Sequence, residues 1–61
     1  MAMTLKAARV NAGLTQAEAA AAIKIDRASL IRWEQSTDSL KISTLKKLCS
    51  LYNVELAEII L

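Results

Sequence analysis

The sequence predicts a compact all-α domain of five short helices, and three observations carry that prediction. Helix formers dominate: 54% of the chain is apolar, with one glycine and no proline, so turn-forming residues are scarce and most segments favour helix. Apolar residues recur at intervals of three and four, as in Ile42, Leu45, Leu48, Cys49 and Tyr52, the spacing of a stripe along one helix face. Residues suited to starting and stopping helices also fall at short intervals, Thr4, Thr15 and Asp26 as starts and Gly13 and Asn53 as stops.

Thr4 is positioned to cap a first helix with Leu5, Ala8 and Ala12 facing inward, and Gly13 ends it by supplying a left-handed residue. Thr15 starts a second helix. Glu18, three residues on, completes a capping box, in which hydroxyl and carboxylate each accept from a free backbone N–H. Ala17 and Ala19 to Ala22 follow, maximising helix propensity and allowing close approach by another helix, with Ile23 as the anchor. After a break at Lys24-Ile25-Asp26, a third helix capped by Asp26 runs to Glu34 or Gln35, burying Leu30 and Trp33 and turning Ala28, Ile31 and Arg32 outward. Ser36 to Ser39 form a polar loop. Ser43 is the expected cap of the fourth helix and Asn53 its left-handed end. Val54 leads into a fifth helix carrying Leu56, Ile59 and Ile60, with Glu55 and Glu58 near its positive end.

Sixty-one residues make one domain, residues 1–61. A domain of this size buries only about 60% of its unfolded surface. One cysteine excludes an internal disulfide, and with no histidine a metal site is not expected. No cofactor, small-molecule ligand or enzymatic activity is expected either. There are no paired inward carboxylates and no glycine-rich phosphate loop. Cys49 falls on the apolar stripe and reads as a small core residue. No apolar run approaches the roughly 18 residues of a membrane span, and no secretory signal is evident. A cytoplasmic protein with a reduced thiol is the expectation. The net charge of +2 is uneven: residues 1–47 hold all eight bases against four acids, a net +4, while residues 48–61 hold only Glu55 and Glu58. That asymmetry suits a basic face for nucleic acid and a second face for something else, although an ordinary solvated surface has the same appearance.

Two short helices joined by about three residues, 15–23 and 27–34, suit a helix-turn-helix. The layout, through Leu14-Thr15-Gln16, Ala19-Ala20, Ile23 and Ile25, then Leu30, Trp33-Glu34, then Thr44-Leu45 and Leu48, resembles the phage repressor and Cro-type (lambda-repressor-like, XRE) class of DNA-binding domains. The similarity covers roughly Leu5 to Ile59. It implies five helices, the third being the recognition helix that enters the major groove.

By that resemblance, Arg27, Ala28, Ile31 and Arg32 are the base-reading positions. Arginine can donate twice to guanine, and alanine or isoleucine can touch a thymine methyl. For each arginine, a phosphate contact or plain solvation is the alternative. Gln16 would meet a phosphate through its side chain and backbone N–H, helped by the helix dipole. Ser29 and Lys41 complete the expected phosphate support. Arg9 and Glu34 match a pair that ties the first helix to the end of the third, worth about 0–1 kcal/mol if exposed. Departures from the pattern are Lys24 and Ser36 in place of common glycines, Ala19 in place of a larger apolar residue, and Asp38 in a loop that often carries bases. A left-handed Lys24 would cost about 1 kcal/mol.

The function expected is a sequence-specific double-stranded DNA-binding transcriptional regulator, a repressor, acting as a homodimer on an inverted-repeat operator. Leu51, Ile60 and Leu61 are the dimer candidates, with ordinary C-terminal core as the alternative. A protein-interaction module on the same fold, an anti-repressor or antitoxin-like partner, is the competing reading. It draws on an outward Ile31, on Asp38 and on the low net charge.

Overall fold

The computed structural model describes residues 2–60. Four α-helices follow in order: α1 Leu5–Asn11, α2 Gln16–Ala22, α3 Arg27–Gln35 and α4 Ile42–Tyr52, and a three-residue 3-10 turn, Leu56–Glu58, closes the chain. Leu5, Ala8, Ala19, Ala20, Leu30, Leu45, Leu48, Cys49 and Tyr52 form one core to which every α-helix contributes. Ala19 and Ala20 are buried without side chains beyond Cβ, so α2 comes close to α3, and Leu30 of α3 is fully buried in the core they share. No helix among the described residues is long and apolar enough to cross a membrane.

The three left-handed residues explain how so many short helices fit into so few residues. Gly13 (φ 76°), Lys24 (φ 58°) and Asn53 (φ 58°) each follow a helix end. In each case the next N–H reaches back five residues: Leu14 to the Arg9 carbonyl, Ile25 to Ala20, and Val54 to Cys49. This is the Schellman arrangement, which satisfies the last free carbonyls. Its usual apolar companion is present all three times, because Leu14, Ile25 and Val54 pack onto the core. Lys24 is therefore left-handed, as a glycine at that point would be. Ser36 is extended (φ −152°), so the missing glycine there costs nothing.

Several expectations are corrected. Among the described residues there are four α-helices, not five. After the 3-10 turn, Ile59 is extended and pairs in parallel with Met3. The Met3 N–H donates to the Glu58 carbonyl (2.7 Å) and the Ile60 N–H to the Met3 carbonyl (2.8 Å). The N-terminal strand-like segment thus takes the backbone groups a fifth helix would have used internally. Glu55 and Glu58 form a capping box on the 3-10 turn instead.

Helix α4 begins at Ile42 with Lys41 at the N-cap, not with Ser43, and has no side-chain cap. Leu40 is drawn onto the core and the chain turns into helix directly after it. Asp26 holds the N-cap position of α3, but its side chain makes no capping bond. Ala12 is exposed, because α1 ends before it, and Arg9 is the buried neighbour of Ala8 instead. Trp33 and Ile31 are both partly buried, so Trp33 is less enclosed and Ile31 less outward than their spacing implied.

Candidate nucleic-acid interface

The second helix is built to start where it does. The Thr15 hydroxyl accepts from the Glu18 N–H (3.1 Å), and the Glu18 carboxylate accepts from the Thr15 N–H (2.9 Å). At its far end, the turn through Lys24 sends the chain into α3. Leu30 fixes the inner side of α3. Arg27, Ala28 and Arg32 are exposed on the other side, with Ser29 and Ile31 half-covered beside them. The Arg32 guanidinium lies 3.5 Å from the Ser29 hydroxyl, one helical turn back. At that distance the bond is weak, and Arg32 stays free to reach outward. Lys41 is exposed at the start of α4.

The end of α3 is held by a buried polar cluster. Arg9 Nε donates to Glu34 Oε2 at 2.6 Å, and the two side chains are only 9% and 4% exposed. Arg9 Nη2 reaches Glu34 Oε1 at 3.3 Å, and Arg9 Nη1 donates to the Leu14 carbonyl at 2.8 Å. Gln16 Nε2 also donates to Glu34 Oε1, at 3.0 Å. The hydrogen bond to Glu34 pushes Arg9 above its ordinary pKa, against the opposing effect of burial. The pair expected from sequence therefore exists, and its burial moves it out of the weak, exposed class.

Tyr52, from the end of α4, lies within the field of both charges. Burial first, then the Glu34 carboxylate, pushes its phenol up to about 12. Its hydroxyl is buried without a hydrogen-bond partner among the described residues. Nothing in the sequence singled out Tyr52, since its spacing marks it only as a core position. The Gln16–Glu34 bond was likewise missed, because the residues are 18 apart and only the fold brings them together.

Beside this cluster, between the start of α1 and the end of α3, lies an open groove of about 350 Å³ lined by Thr4, Leu5, Trp33, Asp38 and Ile60, among others. The Trp33 indole N–H is buried and has no acceptor among the described residues. Of the dimer candidates, Ile60 is 55% exposed, Leu51 packs against the core, and Leu61 lies outside the described residues. Among the described residues, no group of three or more Cys, Asp or Glu is arranged to hold a metal ion.

A short helix, a left-handed turn and a second helix anchored at its inner face and its far end define a helix-turn-helix domain. The helix-turn-helix family model matches residues 5–59. The chain belongs to that family, the Cro/C1-like DNA-binding domains. No curated protein and no solved structure matches it significantly.

Proposed function

We propose that the protein is a sequence-specific regulator, a repressor, that lays α3 into the major groove of double-stranded DNA. The observation that carries this is the division of labour on α3. Leu30 and Glu34 hold the helix to the rest of the domain, while Arg27, Ala28 and Arg32 are exposed and form no ion pair among the described residues. Two arginines flanking a small residue suit guanine edges and a closely approached groove floor. Ile31 reads a thymine methyl in this account. Gln16 through its backbone N–H, together with Ser29 and Lys41, supplies phosphate support that positions the domain without reading sequence.

The longest extent of the domain is 27 Å, less than the roughly 34 Å between half-sites one helical turn apart. One copy cannot cover both, so an inverted-repeat operator is read by a homodimer. Ile60, exposed near the C-terminus, is the best placed of Leu51, Ile60 and Leu61 to join the copies.

Selection from a pool of random duplexes at two salt concentrations tests the proposal. Enrichment of an inverted repeat with half-sites about one turn apart is the expected result, with affinity falling as salt rises. Salt-sensitive binding without enrichment would reject sequence reading. Failure to bind any duplex at low salt would favour the protein-interaction alternative. That reading draws on Asp38, exposed at the groove beside Ile60, and on the modest charge of +2.

A further inference from the structure

We infer that Gln16 is a positioning residue for DNA recognition, acting through Glu34 to set the angle at which α3 is presented. The inference rests on α3 being the DNA-reading helix.

The turn at Lys24 fixes one end of the α2–α3 pair. At the open end, the first residue of α2 faces the last turn of α3, and the Gln16–Glu34 bond of 3.0 Å closes it. Between the two ends, α2 offers α3 the small side chains Ala19 and Ala20. Small side chains permit close approach but form shallow ridges, which define the crossing angle weakly. A directional bond to a carboxylate defines it better, and hydrogen bonds to charged groups are among the stronger ones.

Arg9 already neutralises Glu34, so the Gln16 bond is not needed for charge balance. Its added effect is geometric. Arg9 links Glu34 to α1 and to the Leu14 carbonyl, whereas Gln16 alone links it to α2. The position of α3 relative to α2 decides whether Arg27 and Arg32 meet base edges once α2 lies across the backbone.

A simple phosphate ligand at Gln16 would behave differently, because phosphate contacts add affinity for any duplex. The discriminating quantity is therefore the ratio of affinities for a selected duplex and a scrambled one. Each affinity is measured by fluorescence anisotropy with the same preparation. A reduced folded fraction scales both affinities alike and leaves the ratio unmoved, so a variant that is merely less stable does not mimic the effect.

For Gln16→Ala, binding to the selected duplex is expected to fall about tenfold, with less than a twofold change on the scrambled duplex. The salt dependence is unchanged, since a neutral amide displaces no counterion. Gln16→Lys, which can still donate to Glu34, is expected to restore the ratio to within about twofold of the unaltered chain while steepening the salt dependence. Equal loss on both duplexes in Gln16→Ala would overturn the positioning role and leave a plain phosphate contact. A ratio unchanged in both variants, with no loss on either duplex, would also overturn it. If the unaltered chain enriches no sequence, the DNA-reading account of α3 fails first, and that result is distinct from either of the others.

Discussion

Replacing Glu34 with alanine is the most severe single change the site allows short of disrupting the core. The substitution leaves Arg9 charged, with its side chain 9% exposed and two of its three hydrogen bonds lost. It also strands the Gln16 amide. Removing one partner of a buried ion pair costs about 3–5 kcal/mol. The surviving bond from Arg9 to the Leu14 carbonyl places this case near the lower figure. A chain of 61 residues has a total stability of about 3–9 kcal/mol at ordinary values per residue. Glu34→Ala is therefore expected to consume a third or more of it. Urea unfolding followed by Trp33 fluorescence measures this directly, because Trp33 neighbours the altered residue and is the only tryptophan. The double change Arg9→Met/Glu34→Leu removes both charges and is expected to be more stable than Glu34→Ala alone. A loss below about 1 kcal/mol in Glu34→Ala would put the pair in the exposed class and refute the claim that burial gives it its weight.

Three further changes test separate parts of the account. Lys24→Gly relieves a left-handed backbone (φ 58°) and is expected to raise stability by about 0.5–1 kcal/mol in the same urea assay; no change or a decrease would contradict the strain. Tyr52 has a folded pKa near 12 against an ordinary value of 10, so between these limits the unfolded chain gives up its proton first. The contribution is complete below pH 10 and is lost as pH rises towards 12, amounting to about 2–3 kcal/mol. Tyr52→Phe is expected to remove that part of the alkaline loss and, having deleted a buried hydroxyl with no partner, to be neutral or slightly stabilising at pH 7; an unchanged alkaline profile would refute the assignment. Ile31→Asp is expected to weaken binding to a selected duplex by about tenfold or more, because it places a carboxylate against DNA; unaltered DNA binding with loss of a protein partner would favour the interaction-module reading.

Much of this was readable in the chain because it depends on local spacing. Thr15 and Glu18 lie three apart and form their capping box whatever the tertiary fold does. Gly13 and Asn53 end helices through backbone preferences of their own. Arg9 and Glu34 were legible only through resemblance, as two residues 25 apart in sequence have no local signature. The fifth helix failed because its competitor is remote: Met3 pairs with the segment around Ile59, and no window over 54–61 contains that information. The failure of Ser43 as a cap has a similar origin, since the start of α4 follows the burial of Leu40 and not the best local capping side chain. Tyr52 and the Gln16–Glu34 bond were hidden for the opposite reason. Their residue types fitted simpler roles, a core aromatic and a phosphate contact, and only the assembled core shows what surrounds them.

Whether the exposed side of α3 reads base edges is tested most directly at Arg32. Selection from random duplexes with the unaltered chain and with Arg32→Ala, followed by comparison of the base preferences position by position, is the decisive measurement. Arg32→Ala is expected to weaken the selected site by about 1–3 kcal/mol and to flatten the preference at one base pair in each half-site, leaving the other positions intact. A uniform loss of affinity with every base preference preserved would show that Arg32 only contacts phosphate, and would contradict the placement of α3 as the reading helix in the orientation described.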